Sequence, residues 1–127
     1  MTLADTDVLI DFLAGREPAA ERVARELASG NLWTTVITRF EMLSGARSAR
    51  ETKIIGELLD SMKIVPLDVS AADRAANIRR ALERKGVGIG MADSLIAGIV
   101  LHVGGTLLTR NLRHFQRVEG LDLFRFE

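Results

Sequence analysis

Leu3-Ala4-Asp5-Thr6-Asp7-Val8-Leu9-Ile10-Asp11-Phe12-Leu13-Ala14-Gly15 opens the chain. A short apolar start ends on an acid, and a helical stretch follows at once. We read a brief strand ending at Asp5 and a helix from about Thr6 to Ala14, stopped by Gly15. The same alternation continues downstream. Pro18 suits a first helical turn, and Ala20, Val23, Ala24 and Leu27 recur at helical spacing until Ser29-Gly30. Leu32 to Thr35 reads as a strand. A helix carrying Phe40, Glu41, Leu43 and Ala46 should follow, then a helical stripe of Ile54, Ile55, Leu58, Leu59 and Met62. Lys63 to Leu67 is a strand candidate whose Pro66 prefers an edge or an end. A helix is expected from about Ser70 to Arg84, a glycine-spaced loop at Gly86, Gly88 and Gly90, and a helix from about Met91 to Val103. Thr106 to Thr109 and Leu121 to Phe126 complete the strand candidates. The order predicts an α/β fold: a three-layer α/β/α sandwich with a mostly parallel central sheet of about four to five strands.

The chain has 127 residues, which suits one domain over 1–127. Apolar residues make up 47% and charged residues 27%, a globular composition. No apolar run approaches the roughly 18 residues needed to span a bilayer. The start, Met-Thr-Leu-Ala-Asp, lacks the basic region and cleavage site of a signal peptide. With no cysteine, disulfides and thiolate metal sites are excluded, and a cytoplasmic location is expected. The net charge of zero argues against a protein that coats nucleic acid, though not against an enzyme that holds it briefly. Of the 17 cationic residues, 14 are Arg and 3 are Lys. Arginine grips phosphate in a bidentate fork, but a high-GC genome gives the same bias and is the larger cause.

In parallel sheets, functional groups gather beyond the carboxyl ends of the strands. Asp5 lies at such an end, Glu41 follows the second strand, Asp93 opens the helix before a later strand, and Asn111 lies just past that strand. Phosphodiester hydrolysis needs an activated water and a stabilised leaving oxygen, and divalent cations supply both. Magnesium takes hard oxygen ligands, so clustered carboxylates suit it. His102 and His114 are the only histidines, which disfavours a multi-histidine zinc site. Each acid also has a plainer role. Asp5 could cap its helix, Asp93 could sit in a first turn for the macrodipole, and Glu41 could pair with Arg39 or Arg47. Asp7 and Asp11 read as helix-surface acids, with Asp7 close enough to support the site. Asp60, Asp68, Asp73 and Asp122 read as surface or capping residues. Arg110, Arg113, His114 and Arg117 could grip a nucleic-acid backbone or form a solvated helix face. Arg79, Arg80, Arg84 and Lys85 read as solvent-exposed. The loop glycines lack the Lys-Ser/Thr of a phosphate-binding loop. Trp33 reads as core.

Four stretches occur in order: Asp5-Thr6-Asp7-Val8-Leu9-Ile10-Asp11, Ile37-Thr38-Arg39-Phe40-Glu41-Met42-Leu43-Ser44-Gly45, Ala92-Asp93-Ser94-Leu95-Ile96-Ala97, and Thr109-Arg110-Asn111-Leu112-Arg113-His114-Phe115. Together they resemble the PIN-domain family, specifically VapC-type toxins of toxin–antitoxin pairs, over nearly the whole chain. The resemblance implies a Mg²⁺- or Mn²⁺-dependent endoribonuclease with Asp5, Glu41 and Asp93 as metal-site acids and Asn111 as a fourth catalytic position. Many relatives carry an aspartate at that fourth place. Asparagine adds no charge, so one firmly held ion and a weaker second are expected. Thr6, Thr109, Arg110 and Arg113 are the expected RNA contacts. The resemblance further implies a homodimer and a VapB-like antitoxin covering the active-site groove, with DNA met only through that antitoxin. A PIN fold with weakened catalysis, kept as an interaction module, is the alternative that Asn111 supports. Asp5-Thr6-Asp7 also mimics the nucleophile motif of haloacid-dehalogenase phosphatases. The chain is short for those enzymes and lacks their late paired aspartates. A receiver domain would need Asp60 at a strand end rather than in a helical stripe.

Overall fold

The computed structural model describes residues 1–126. Its elements are β1 (Thr2–Ala4), α1 (Thr6–Ala14), α2 (Ala19–Ala28), β2 (Leu32–Thr35), α3 (Val36–Ser44), α4 (Ala49–Asp60), β3 (Lys63–Val65), α5 (Val69–Arg84), α6 (Met91–Val103), β4 (Thr106–Leu108), α7 (Leu112–Phe115) and β5 (Asp122–Leu123). The boundaries follow local chemistry. Gly15 and Gly104 end α1 and α6 in the left-handed region, with φ of 69° and 72°, where a Cβ would be strained. Thr35, Ser48 and Asp68 each accept a backbone N–H at the start of α3, α4 and α5. Pro66 directly follows β3, which lies on the sheet edge as a proline neighbour should.

The sheet has five strands in the order β3-β2-β1-β4-β5, and every pairing is parallel. The expected "mostly parallel" sheet is thus wholly parallel. Several expected boundaries shift. Ala46 lies beyond α3, and Met62 lies past the end of α4. Pro18 caps α2 rather than entering its first turn. Of the expected strand Leu121–Phe126, only Asp122–Leu123 pairs, and the short α7 occupies a stretch not predicted as an element of its own. Both are edge effects, because a strand of two residues and a helix of four leave almost no period in the sequence.

Successive strand residues face opposite ways, and they build two cores. Leu3, Trp33 and Leu107 stand in register and pack with Ala71, Leu82, Ile96 and Ile99 of α5 and α6. Ala4 and Leu108 face the other way, onto Val8, Leu9, Ala19, Val23, Leu58 and Leu59 of α1, α2 and α4. Helices therefore cover both faces, as the three-layer reading expects. Among the described residues, no helix is long and apolar enough to cross a membrane.

The strand order places the site. From β1 the chain moves outward on one side through β2 and β3. It then returns to lay β4 against the other side of β1. The crossovers diverge at that β1–β4 boundary, the position where open parallel sheets form a crevice beyond the strands' carboxyl ends.

Candidate active site

Asp5 follows the last residue of β1 directly and Thr109 the last of β4, so the switch point brings them together. The Asp5 backbone N–H donates to the Leu108 carbonyl at 2.9 Å, extending the strand pairing by one residue. Asp5 is the N-cap of α1, its Oδ1 accepting the Thr6 N–H at 2.8 Å, so the capping role and the site role coincide. Its Oδ2 accepts the Thr109 hydroxyl at 2.8 Å. The group is 7% exposed. Burial, then the charges of Asp7 and Asp93, push its carboxyl up to about 7, against the opposing hydrogen bonds from Thr109 and Thr6.

Asp7 belongs to the same crevice, although its place in a first helical turn made it look like a surface acid. Its Oδ2 accepts the Arg110 backbone N–H at 3.0 Å and lies 3.4 Å from the Thr109 hydroxyl. Its Oδ1 is buried with no hydrogen-bond partner. Burial raises this carboxyl as well. On the other wall, Asp93 of α6 meets the Asn111 side-chain amide at 3.2 Å and His114 Nδ1 at 3.2 Å. Asn111 and His114 are themselves 3.0 Å apart. His114, read in the sequence only as part of a basic group, therefore touches a site carboxylate. The i, i+3 spacing of Asn111, the N-cap of α7, and His114 within it is the signal that could have found it.

Glu41 enters from α3. Its Oε1 accepts the Thr6 hydroxyl at 2.8 Å. The expected alternatives for Glu41 are not formed: Arg39 pairs with Asp60, and the Arg47 backbone N–H turns to Glu51. The structure thus gathers Asp5, Glu41, Asp93 and Asn111, together with Thr6 and Thr109, around one edge of the sheet. Asp11 and Arg110 depart from their expected places. Asp11 is 4% exposed rather than on the surface, and Arg110 Nε holds its Oδ2 at 2.6 Å. Arg113 is exposed, whereas Arg117 donates to the Val87 and Gly88 carbonyls of the glycine loop. His102 pairs with Asp68 away from the site, and Trp33 packs at the core margin beneath Lys63.

The donor set suits a hard divalent cation. The charges of Asp7 and Asp93 oppose ionisation of Asp5, and one buried oxygen of Asp7 lacks any donor. Among the described residues, no three Asp, Glu or His side chains close into a cage. The fitting mode is a few carboxylate oxygens with water completing the shell, as magnesium favours.

Fold and site together define a class: an α/β sandwich with an acidic crevice at the sheet's switch point. The family model for the PIN domain matches residues 2–121, and the chain belongs to that family. The tRNA(fMet)-specific endonuclease VapC of Shigella flexneri is 30% identical over 94% of this chain and 92% of its own length. Ribonuclease VapC10 of Mycobacterium tuberculosis is 33% identical over 95% of this chain and 90% of its own. Among solved structures, DNA-bound VapBC from Salmonella typhimurium superposes with a TM-score of 0.84 at 26% identity, covering 97% of this chain and 96% of that one.

Proposed function

We propose that the chain is a Mg²⁺- or Mn²⁺-dependent endoribonuclease, the toxin of a VapBC-type toxin–antitoxin pair. The observation that carries this reading is the acidic crevice: three aspartates from α1, its N-cap and α6 crowd together while a buried oxygen of Asp7 stays unpartnered. A protein that only bound a partner would gain nothing from that electrostatic cost.

Asp5 and Asp93 would hold the ion, with Glu41 completing its shell or orienting a water. A bound divalent cation supplies a water acidic enough to attack near neutral pH and a counter-charge for the phosphate. The remaining residues prepare the site. Thr109, fully buried, donates its hydroxyl to Asp5 and so supports the carboxylate rather than reaching RNA. Thr6 fixes Glu41 across the crevice. Asn111 steadies Asp93 through its amide without adding negative charge, which fits one firm ion and a weaker second. Arg113, exposed and outside any ion pair among the described residues, would meet a backbone phosphate.

The partner surface adjoins the site. A groove of about 460 Å³ lies between α1 and the α3–α4 pair, lined by Ile10, Leu13, Ile54 and Ile55 and sharing Thr6 and Glu41 with the crevice. An amphipathic antitoxin segment seated there would close the active site. The chain acts in the cytoplasm as a homodimer under this reading.

The test is cleavage of RNA by the purified chain with Mn²⁺ or Mg²⁺. Asp5→Asn and Asp93→Asn should each reduce the rate by at least about a hundredfold, as loss of a catalytic electrostatic group does. Excess chelator should abolish it. Full activity in either variant or in chelator sinks the proposal. A chain that fails to bind Mn²⁺ at millimolar levels favours the interaction-module alternative.

A further inference from the structure

Asp11 is a buried carboxylate that the acidic crevice does not use. It lies one turn beyond Asp7 on α1 and is 4% exposed. Two guanidinium groups converge on it: Arg110 Nε at 2.6 Å from Oδ2 and Arg16 Nη1 at 3.8 Å from Oδ1. One turn back along the same helix, Asp7 takes the Arg110 backbone N–H at 3.0 Å. Arg110 is thus fixed through both its main chain and its side chain. Yet the two arginine side chains remain 53% and 67% exposed.

With Asp7, the cluster sets two carboxylates against two guanidinium groups, and the acids lie inward while both guanidinium groups stay open to solvent. A guanidinium offers five N–H donors, more than the Arg110 ion pair with Asp11 at Nε requires. An arginine anchored in this way loses less freedom on meeting an anion than a free surface arginine would. The position is also specific. Arg110 stands between Thr109, which bonds Asp5, and Asn111, which bonds Asp93. An anion on Arg110 therefore sits at the lip of the crevice.

We propose that Asp11 organises Arg110 and Arg16 into a subsite for a backbone phosphate of single-stranded RNA, flanking the phosphate that is cut. Asp11 is a positioning residue in this scheme, and the two arginines make the contact. The inference rests on the ribonuclease reading above.

The whole chain is titrated with a fluorescently labelled single-stranded RNA oligomer in EDTA, by anisotropy, across a salt series. Arg110→Gln and Arg16→Gln should each weaken binding about tenfold at low salt. Each should also lower the slope of log affinity against log salt by about 0.7, the signature of one lost phosphate contact. Asp11→Asn gives a test of sign. Removing a negative charge near a polyanion tightens binding if only net charge matters. If Asp11 positions the arginines, binding weakens several-fold instead. Unchanged salt slopes in both arginine variants overturn the subsite, as does tighter or equal binding by Asp11→Asn. Loss of antitoxin affinity with RNA binding intact overturns it too, and assigns the cluster to the antitoxin. Arg16 is 67% exposed and 3.8 Å from Asp11, so Arg16→Gln keeps the fold; thermal melts of Arg110→Gln and Asp11→Asn, which unpair a buried charge, show whether each is folded when its binding is read. Wild-type chain that cleaves RNA while these variants bind normally defeats the subsite alone. Wild-type chain that neither binds nor cleaves RNA defeats the ribonuclease reading and the subsite with it.

Discussion

Asp5 shows how one residue carries opposing demands. It caps α1, accepts two hydrogen bonds and stands between two other carboxylates, yet it is nearly sealed from water. Its carboxyl rises from 3.8 to about 7, so the folded chain holds this proton more tightly than the unfolded chain does. The stabilisation is fully present below about pH 4. It is lost progressively as the pH rises toward 7, because ionising Asp5 in the crevice is harder than ionising it in the open chain. The shift corresponds to a few kcal/mol, roughly 4 by the usual conversion. Asp7 shifts in the same direction. In EDTA, the melting temperature of the wild-type chain should therefore fall between pH 5 and 7.5, as read by circular dichroism. Asp5→Asn should flatten that dependence and melt higher than wild type at pH 7.5 while losing activity. A steeper fall in the variant would contradict the assignment. Sequence reasoning singled out Asp5, Glu41 and Asp93, since each lies in a recognisable motif beside a strand end or helix start. It allowed Asp7 a supporting place but put Asp11 on the surface, because position on α1 alone does not say which face turns toward the loop at Thr109–Asn111.

At the level of elements, the α5–α6 pair holds Asp93 in place, and a glycine sets their separation. A Cβ at Gly98 would meet the Ala71 carbonyl oxygen at 2.7 Å and the Ala75 nitrogen and Cβ at 2.8 Å. All three contacts are to backbone or its first carbon, which cannot swing aside. Gly98→Ala should therefore destabilise the chain by about 1–3 kcal/mol through overpacking, and push α6 away from the site. Gly56 provides the contrast. It lies inside α4 with nothing within 4 Å of an added Cβ. Gly56→Ala should stabilise by about 0.5–1 kcal/mol, from helix propensity and lower unfolded-state entropy. Denaturant titrations of the two variants check both signs, and equal effects would refute the packing account. The helices themselves were legible because their caps and apolar stripes are local. Ala46 and Met62 show the limit of that signal: apolar spacing continues past Ser44 and Asp60, but the backbone has already turned.

Across the whole molecule, parallel pairing of five short strands leaves apolar surface that the two cores do not absorb. On α3, Phe40 is 69% exposed and Val36, one turn earlier, is 36% exposed. The proposed homodimer would use this face, which lies on the same helix that bears Glu41. Phe40→Asp should shift the sedimenting species from dimer to monomer at micromolar concentration. A wild-type chain that sediments as a monomer rules this face out as a self-association surface, and a variant that stays dimeric does the same. A zero net charge fits this picture, since contacts with RNA would come from a few placed arginines rather than from a general field.

The opening stretch determined by itself that Asp5 sits between a strand end and a helix start, and the same alternation read along the whole sequence determined that the sheet is mostly parallel. These follow from local periodicity and from the steric rule that parallel strands need crossovers. The tertiary structure alone decided which acids share a crevice. Strand order set the switch point between β1 and β4, so residues more than a hundred positions apart, Asp5 and Thr109, came within 2.8 Å. It also decided that Asp11 is buried under two arginines, because burial depends on what packs against a helix face and not on the helix's own sequence.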